Sequence, residues 1–384
     1  MESKIRNRLL YFVFIILMLP MVQHKLQFID SGKLKGGFKE ASDAEFSIPD
    51  WKSGDYQRQK EKYLNDQTGF RADIVRLNNQ IDYSLFDKCH TAWTVKGKDH
   101  YLFQFPYINA YYGKDYAGYP AILERAIKLK AIQDTLARMG KSLILAYLPS
   151  KASSYPEYFP DNQVAHEIGM TNYKAYRHIG DSLGINQVDM DAWFVSMKNK
   201  SKEPLFSMQG IHWTNYGAIL GGDSLIRYME KLRNIRVQHP IWSQMEHTSK
   251  LRAGDDDIAQ ELNLIFPVAK ETLAYPIIQD VPDSGQKKIN AIYIGDSYAH
   301  KMIEFGIVYK MNAQCEFWSY YDEMHDINGY KFTYIKQYDW QGAIRKADCV
   351  VLAYTLFNFG QLGNGFIEQA YDYYYPSGVT GKGK

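Results

Sequence analysis

From about Tyr111 onward, short apolar runs and helical stretches take turns along the chain, and this alternation is the feature that most narrows the fold. Strand, helix and strand in succession build parallel βαβ units, so the expected class is α/β with a mostly parallel sheet. The expected strands are Ser142 to Leu148, Gly184 to Asp189, Lys288 to Ile294, Gln314 to Trp318 and Asp348 to Tyr354. Helical patterns cover 120–139, 171–183, 215–234, 299–312 and 363–374. Ligands bind such sheets beyond the carboxyl ends of the strands. Chemistry is therefore expected just after Leu148, Asp189, Ile294 and Tyr354.

The amino-terminal end has a different character. Lys4, Arg6 and Arg8 precede an apolar run from Leu9 to Val22 that only Pro20 punctuates. That run is short of the roughly 20 residues that span a bilayer and suits the apolar core of a signal peptide. No small-residue cleavage site follows, because the next residues are Gln23, His24, Lys25 and Leu26. An uncleaved anchor over residues 1–25 is the preferred expectation, with a cleaved signal as the alternative. The basic flank keeps the amino terminus in the cytoplasm and puts the remainder in the periplasm. Residues 26–110 read as a spacer and extension, with a polar helical stretch from Tyr56 to Phe86 and a strand and turn at Trp93 to Lys98. Residues 111–384 carry the α/β domain.

Composition excludes several classes. With 45 basic and 43 acidic residues and no long runs, the chain has no electrostatic footprint for nucleic acid. Neither a P-loop nor a dinucleotide-binding glycine fingerprint is present, so no cofactor is expected. Cys89, Cys315 and Cys349 lack metal-ligand spacing and allow at most one disulfide. The run Asp255-Asp256-Asp257 reads as a solvated loop, since three consecutive carboxylates do not by themselves converge on one ion. Aromatic residues make up 15%, including 31 Tyr, which suits either a surface that stacks on sugars or a tyrosine-rich core.

Gly-Asp-Ser occurs at 180–182, 222–224 and 295–297, so context has to choose among the three. A nucleophilic serine is best placed where a strand turns sharply into a helix, because its Oγ is exposed there and the helix start offers N–H groups to an oxyanion. Ser182 follows a helical stretch and precedes a strand, which is the wrong order. Ser224 falls inside a helix. Only Ser297 follows a strand, Ile289 to Ile294, and opens a helix. A serine needs a base to become nucleophilic. His212, in the loop Gly210-Ile211-His212-Trp213-Thr214-Asn215, is the leading candidate, and His300 the next.

Taken together these segments resemble the alginate O-acetyltransferase family of SGNH-hydrolase-like proteins, AlgJ and AlgX. The resemblance rests on the anchor, Phe70-Arg71, Leu77-Asn78-Asn79-Gln80, Val95-Lys96-Gly97-Lys98 leading to Tyr101-Leu102-Phe103, and Leu148-Pro149-Ser150-Lys151. It continues through Tyr155-Pro156-Glu157-Tyr158-Phe159-Pro160, His212-Trp213 and Gly295-Asp296-Ser297-Tyr298. It implies a three-layer α/β/α sandwich and acetyl transfer by a Ser-His-Asp triad. It also implies a membrane-bound O-acyltransferase as acetyl donor and an exported or cell-envelope polysaccharide as acceptor.

Ser297 and His212 match the triad, but the aspartate's position is occupied by Gly210. Asp296, Asp189 or Asp191 is expected to supply the missing carboxylate, or a backbone carbonyl to orient the ring. Asn358 is a candidate oxyanion donor or else a loop cap. Lys151, Tyr155, Trp213 and Tyr298 are candidate sugar contacts, with solvation of Lys151 and packing of Trp213 as the alternatives. An acetylesterase would use the same residues with water as acceptor. A catalytically impaired carbohydrate-binding or scaffold component of an export complex is the reading that Gly210 favours.

Overall fold

The computed structural model describes residues 2–165, 167–237, 239–252, 254–279, 288–304, 312–326 and 332–376. They form two compact units, Met1–Thr94 with Asp257–Val268, and Val95–Asp256 with Ala269–Lys384. The division falls near 94, not at the expected 110. Leu102, Phe103 and Ile108 are fully buried, and the Leu102 N–H donates to the Met208 carbonyl at 2.8 Å, which ties this stretch to the larger unit.

In the smaller unit, α1 (Glu2–Leu26) is longer than its apolar run suggested, because a helix continues through Pro20 and takes in the basic flank. Its segment Lys4–Leu26 is long and apolar enough to cross a membrane, and its apolar side chains from Leu9 to Met21 are largely exposed. After an irregular stretch come α2 (Ile48–Ser53), α3 (Asp55–Asp66) and α4 (Arg71–Phe86). The expected single polar helix is broken at Gln67 to Phe70, where Phe70 takes a left-handed φ of 61°. The short helix α11 (Asp257–Glu261) also belongs here, and Asn79 donates to the Leu262 carbonyl at 2.8 Å.

The larger unit begins with the short strands β1 (Thr94–Lys96) and β2 (Leu102–Gln104), followed by α5 (Phe105–Tyr112). The α/β pattern then runs α6 (Tyr119–Arg138), β3 (Ser142–Leu148), α7 (Lys151–Ser154), α8 (Asn172–Leu183), β4 (Gln187–Asp189), α9 (Met190–Met197) and α10 (Asn215–Arg233). A two-stranded antiparallel ribbon, β5 (Trp242–Thr248) with β6 (Leu273–Ile278), interrupts it. The chain re-enters the main sheet through β7 (Ile289–Gly295), α12 (Ser297–Glu304), β8 (Asn312–Ser319), β9 (Glu323–Asp326), β10 (Phe332–Tyr334) and β11 (Cys349–Thr355). The expected helix 299–312 thus starts two residues earlier, and its part beyond Glu304 lies largely outside the described residues.

The seven strands are ordered β10-β9-β8-β7-β11-β3-β4. From β8 to β4 all neighbours pair in parallel, while β9 and β10 form an antiparallel edge. The central strands β3, β7 and β11 are buried along nearly their whole length. Helices on both faces require this, and it explains why these strands read as continuous apolar runs. Leu143, Leu145, Ile292, Ile294, Val350 and Leu352 pack with Ile122, Leu129 and Leu136 of α6 in the core. β7, β11 and β3 stand side by side, so the segments after Gly295, Thr355 and Leu148 emerge together at one end of the sheet.

Candidate active site

The turn from β7 into α12 sets the nucleophile. β7 lies directly against β11, and a Cβ on Gly295 would stand 2.3 Å from the Ala353 carbonyl oxygen, so only glycine permits this approach. The next residue, Asp296, is wholly buried. Its Oδ2 accepts from the Thr355 N–H at 2.8 Å, the Thr355 hydroxyl at 2.7 Å and the Asn358 Nδ2 at 2.7 Å. Its Oδ1 accepts from the Tyr298 N–H at 3.1 Å. One carboxyl thus ties the start of α12 to the end of β11 and leaves Ser297 on the outside of the turn.

His212 reaches the same point from a second loop. Phe206 and Trp213 form an isolated antiparallel bridge, and Thr214 caps α10 by accepting from the Gly217 N–H at 3.1 Å. Just before the bridge residue Trp213, His212 Nε2 lies 2.9 Å from Ser297 Oγ. The buried Tyr298 fixes this loop twice. Its hydroxyl donates to the Ile211 carbonyl, and its ring centroid stands 4.8 Å from that of His212. Below, the Lys151 ammonium donates to the carbonyls of Ser207 at 3.2 Å, Met208 at 3.3 Å and also Gly210. Glu271 accepts from the Ser207 hydroxyl at 2.7 Å and the Met208 N–H at 2.9 Å, and burial pushes its carboxyl upward.

These contacts correct several expectations. Lys151 is 1% exposed and engaged with three carbonyls, so it holds the histidine loop and is not open to a sugar. Trp213 is 0% exposed and packs against Phe194 and Tyr298, which excludes a stacking platform. Tyr298 is equally buried. The Asn358 amide is engaged with Asp296 and with Thr355 Oγ1 at 3.3 Å, not aimed at an oxyanion. Tyr155 is half-buried, with its ring centroid 5.5 Å from that of Tyr101 and 6.1 Å from that of Phe206. His300 is exposed and stacks on Phe317 at 5.4 Å. Ser182 lies in the last turn of α8 and Ser224 within α10, as their contexts required.

The proposed substitutes for the triad aspartate are engaged elsewhere. Asp189 caps α9 through the Ala192 N–H at 2.9 Å and accepts from Tyr173 and Arg177. Asp191 is buried, accepts from the Ser150 N–H at 3.0 Å and the Ser153 hydroxyl, and is raised by burial to about 7. Asp296 is bound into the elbow as described. The run from Asp255 is not the solvated loop expected. Asp255 is wholly buried, pairs with Lys301 Nζ at 2.7 Å and accepts from the Tyr275 hydroxyl at 2.7 Å.

One residue near the site escaped sequence reasoning. Tyr320, just past β8, accepts from the Ser297 N–H through its hydroxyl at 3.3 Å. It reaches the site because β8 is the neighbour of β7, an order the linear sequence does not state, and because Tyr320 adopts a left-handed φ of 47°. The assembled groups are a serine at a strand-to-helix elbow, a histidine in hydrogen-bond contact with it, and an N–H at the helix start. This is the equipment for acyl transfer through an acyl-serine.

Comparison with known proteins agrees with this geometry. Residues 94–273 match the family model described as SGNH hydrolase-like domain, acetyltransferase AlgX. The chain is 28% identical over 160 residues to the probable alginate O-acetylase AlgJ of Azotobacter vinelandii, covering 41% of this chain and 39% of that protein. It is 24% identical over 173 residues to the probable alginate O-acetylase AlgJ of Pseudomonas syringae pv. tomato, covering 45% and 42%. The chain therefore spans about two fifths of the length of these curated relatives. The solved O-acetyltransferase domain of Pseudomonas putida AlgJ shares the fold, with a TM-score of 0.50 at 18% identity, over 73% of this chain and 99% of that domain. Residues 94–273 are thus similar to the SGNH-hydrolase-like domain of AlgX, and the larger unit shares the fold of the AlgJ O-acetyltransferase domain.

Proposed function

We propose that this protein transfers acetyl groups to hydroxyls of an exported or cell-envelope polysaccharide through an acetyl-Ser297 intermediate. The observation that carries the reading is the 2.9 Å contact between His212 Nε2 and Ser297 Oγ at the strand-to-helix elbow. His212 accepts the Ser297 proton as Oγ attacks the donor's acetyl carbon, then returns that proton to the departing group. A sugar hydroxyl, deprotonated by the same nitrogen, attacks the acetyl-serine and releases Ser297, whose oxygen recovers the proton. The Ser297 N–H, which donates to the Tyr320 hydroxyl at 3.3 Å in the free protein, turns to the oxyanion of both tetrahedral intermediates as that hydroxyl gives way.

The AlgJ relatives are named alginate O-acetylases, which supports a polysaccharide acceptor. A membrane-bound O-acyltransferase is the proposed acetyl donor, as the family resemblance implies. Helix α1, with Lys4, Arg6 and Arg8 at its start, serves as an inner-membrane anchor that leaves the domain in the periplasm.

The test uses the full chain in detergent with p-nitrophenyl acetate, with and without an alginate oligosaccharide, and mass spectrometry of the Ser297 peptide. Wild type is expected to carry acetyl on Ser297 and pass it to the sugar, while Ser297→Ala and His212→Ala do neither. Acetyl passing only to water would identify an esterase. Equal inertness of all three proteins would remove the enzymatic reading.

A further inference from the structure

Gly210 occupies the position of the family's triad aspartate, and its surroundings indicate what replaces that carboxyl. A Cβ on Gly210 would lie 2.6 Å from the Asp255 carbonyl oxygen, 2.8 Å from the Asp255 carbonyl carbon and 2.9 Å from the Gly254 carbonyl oxygen. All three are backbone atoms. The space an aspartate side chain at 210 would enter is therefore filled by a second segment, the start of the run Asp255-Asp256-Asp257. Glycine at 210 is what lets that segment close in.

The segment is held there by four contacts. The Asp255 N–H donates to the Arg252 carbonyl at 3.0 Å, and the Arg252 N–H meets the Tyr275 hydroxyl at 3.1 Å. The Asp255 carboxyl binds Tyr275 and, at 2.7 Å, the buried ammonium of Lys301. Lys301 lies one turn beyond Ser297 on α12, so the acidic run is fastened to the nucleophile's own helix. Lys151 grips the other side of the same place through the Gly210 carbonyl.

We infer that the triad carboxyl has moved from position 210 to the acidic run, and that Asp256 supplies the group that orients the His212 imidazole. Asp255 itself is committed to Lys301 and Tyr275. The next residue, Asp256, leaves the Gly210 contact within one Cα step of about 3.8 Å, and His212 lies two residues from Gly210 on the other segment of that contact. A carboxyl there accepts from Nδ1–H, which leaves Nε2 unprotonated toward Ser297 and stabilises the imidazolium formed during acyl transfer. The role is a positioning one, and it rests on the acyl-transfer reading of Ser297 and His212.

The experiment compares Asp256→Asn, Asp257→Asn and Asp255→Asn in the full chain, labelled with 15N-histidine and assayed with p-nitrophenyl acetate. The expected result is a downfield Nδ1–H resonance that is absent in His212→Ala, kept in Asp257→Asn and lost in Asp256→Asn. That variant's kcat is expected to fall on the order of 10²–10⁴-fold, with KM little changed, the acidic limb of its kcat/KM profile moved to lower pH, and partial recovery when Glu replaces Asn. Asp255→Asn is expected to lower the unfolding temperature without moving that limb. If Asp256→Asn keeps the resonance and the wild-type limb, the inference is overturned. The resonance is read without turnover, so an inert wild type would count against acyl transfer while the relocation of the carboxyl is still decided by the spectrum.

Discussion

Replacing Asp296 by asparagine separates two roles that the motif Gly-Asp-Ser leaves mixed. In the structure four donors converge on this carboxyl, three at Oδ2 and one at Oδ1. Asparagine has only one acceptor oxygen. In the better orientation that oxygen faces Thr355 and Asn358, so the amide nitrogen confronts the Tyr298 N–H and one buried donor loses its partner. An orphaned buried donor costs about 1–3 kcal/mol. The three bonds that remain lose charge assistance, which roughly doubles a hydrogen bond's strength, for about 0.5–1 kcal/mol each. The sum is about 2.5–6 kcal/mol, a large share of a typical stability of about 5–15 kcal/mol. Denaturant unfolding of the full chain in detergent, followed by tryptophan fluorescence, is expected to shift by that amount. Ser297 reactivity is expected to fall as the elbow loosens. If Asp296→Asn abolished turnover while leaving the unfolding midpoint unchanged, Asp296 would be a catalytic carboxylate and the structural assignment argued here would be refuted.

Lys151→Met is expected to lose about 2–4 kcal/mol, because it orphans three carbonyls around the histidine loop; thermal unfolding and kcat should fall together. Gly210→Ala forces backbone apart at 2.6 Å and is expected to cost about 1–3 kcal/mol, with turnover reduced although His212 and Ser297 are intact; unfolding and p-nitrophenyl acetate assays check both. Tyr320→Phe removes the acceptor that occupies the Ser297 N–H and leaves that donor open to the oxyanion, so kcat with p-nitrophenyl acetate is expected to be maintained or raised. Asp191 is raised by burial to about 7, so the folded state holds a proton that the unfolded chain releases near pH 4. Its contribution is present below that lower value and is lost as pH climbs through about 7. Unfolding free energy should therefore decline from pH 5 to 8 in wild type by a few kcal/mol, and Asp191→Asn should flatten that slope.

The parts legible in the sequence were those that local pattern decides. Ser142–Leu148 was bounded correctly because a strand buried on both faces must be apolar throughout. Ser297 could be chosen from three like motifs because the order of strand and helix around it is itself a chain property. What the pattern could not give was which segments the fold presses together. Lys151 reads as a solvated cation until three carbonyls surround it, and Trp213 as a sugar platform until the core closes over it. Asp255 reads as one of three loop acids until Lys301, far along the chain, reaches it. Gly210 is the sharpest instance. As a letter it records a lost carboxylate, and it points toward an impaired enzyme. As a backbone position with no room for a Cβ, it records that another acidic segment has taken the space. The absence of a side chain at 210 and the acids that begin at 255 are therefore one feature of the fold, which the sequence presents as two unrelated ones.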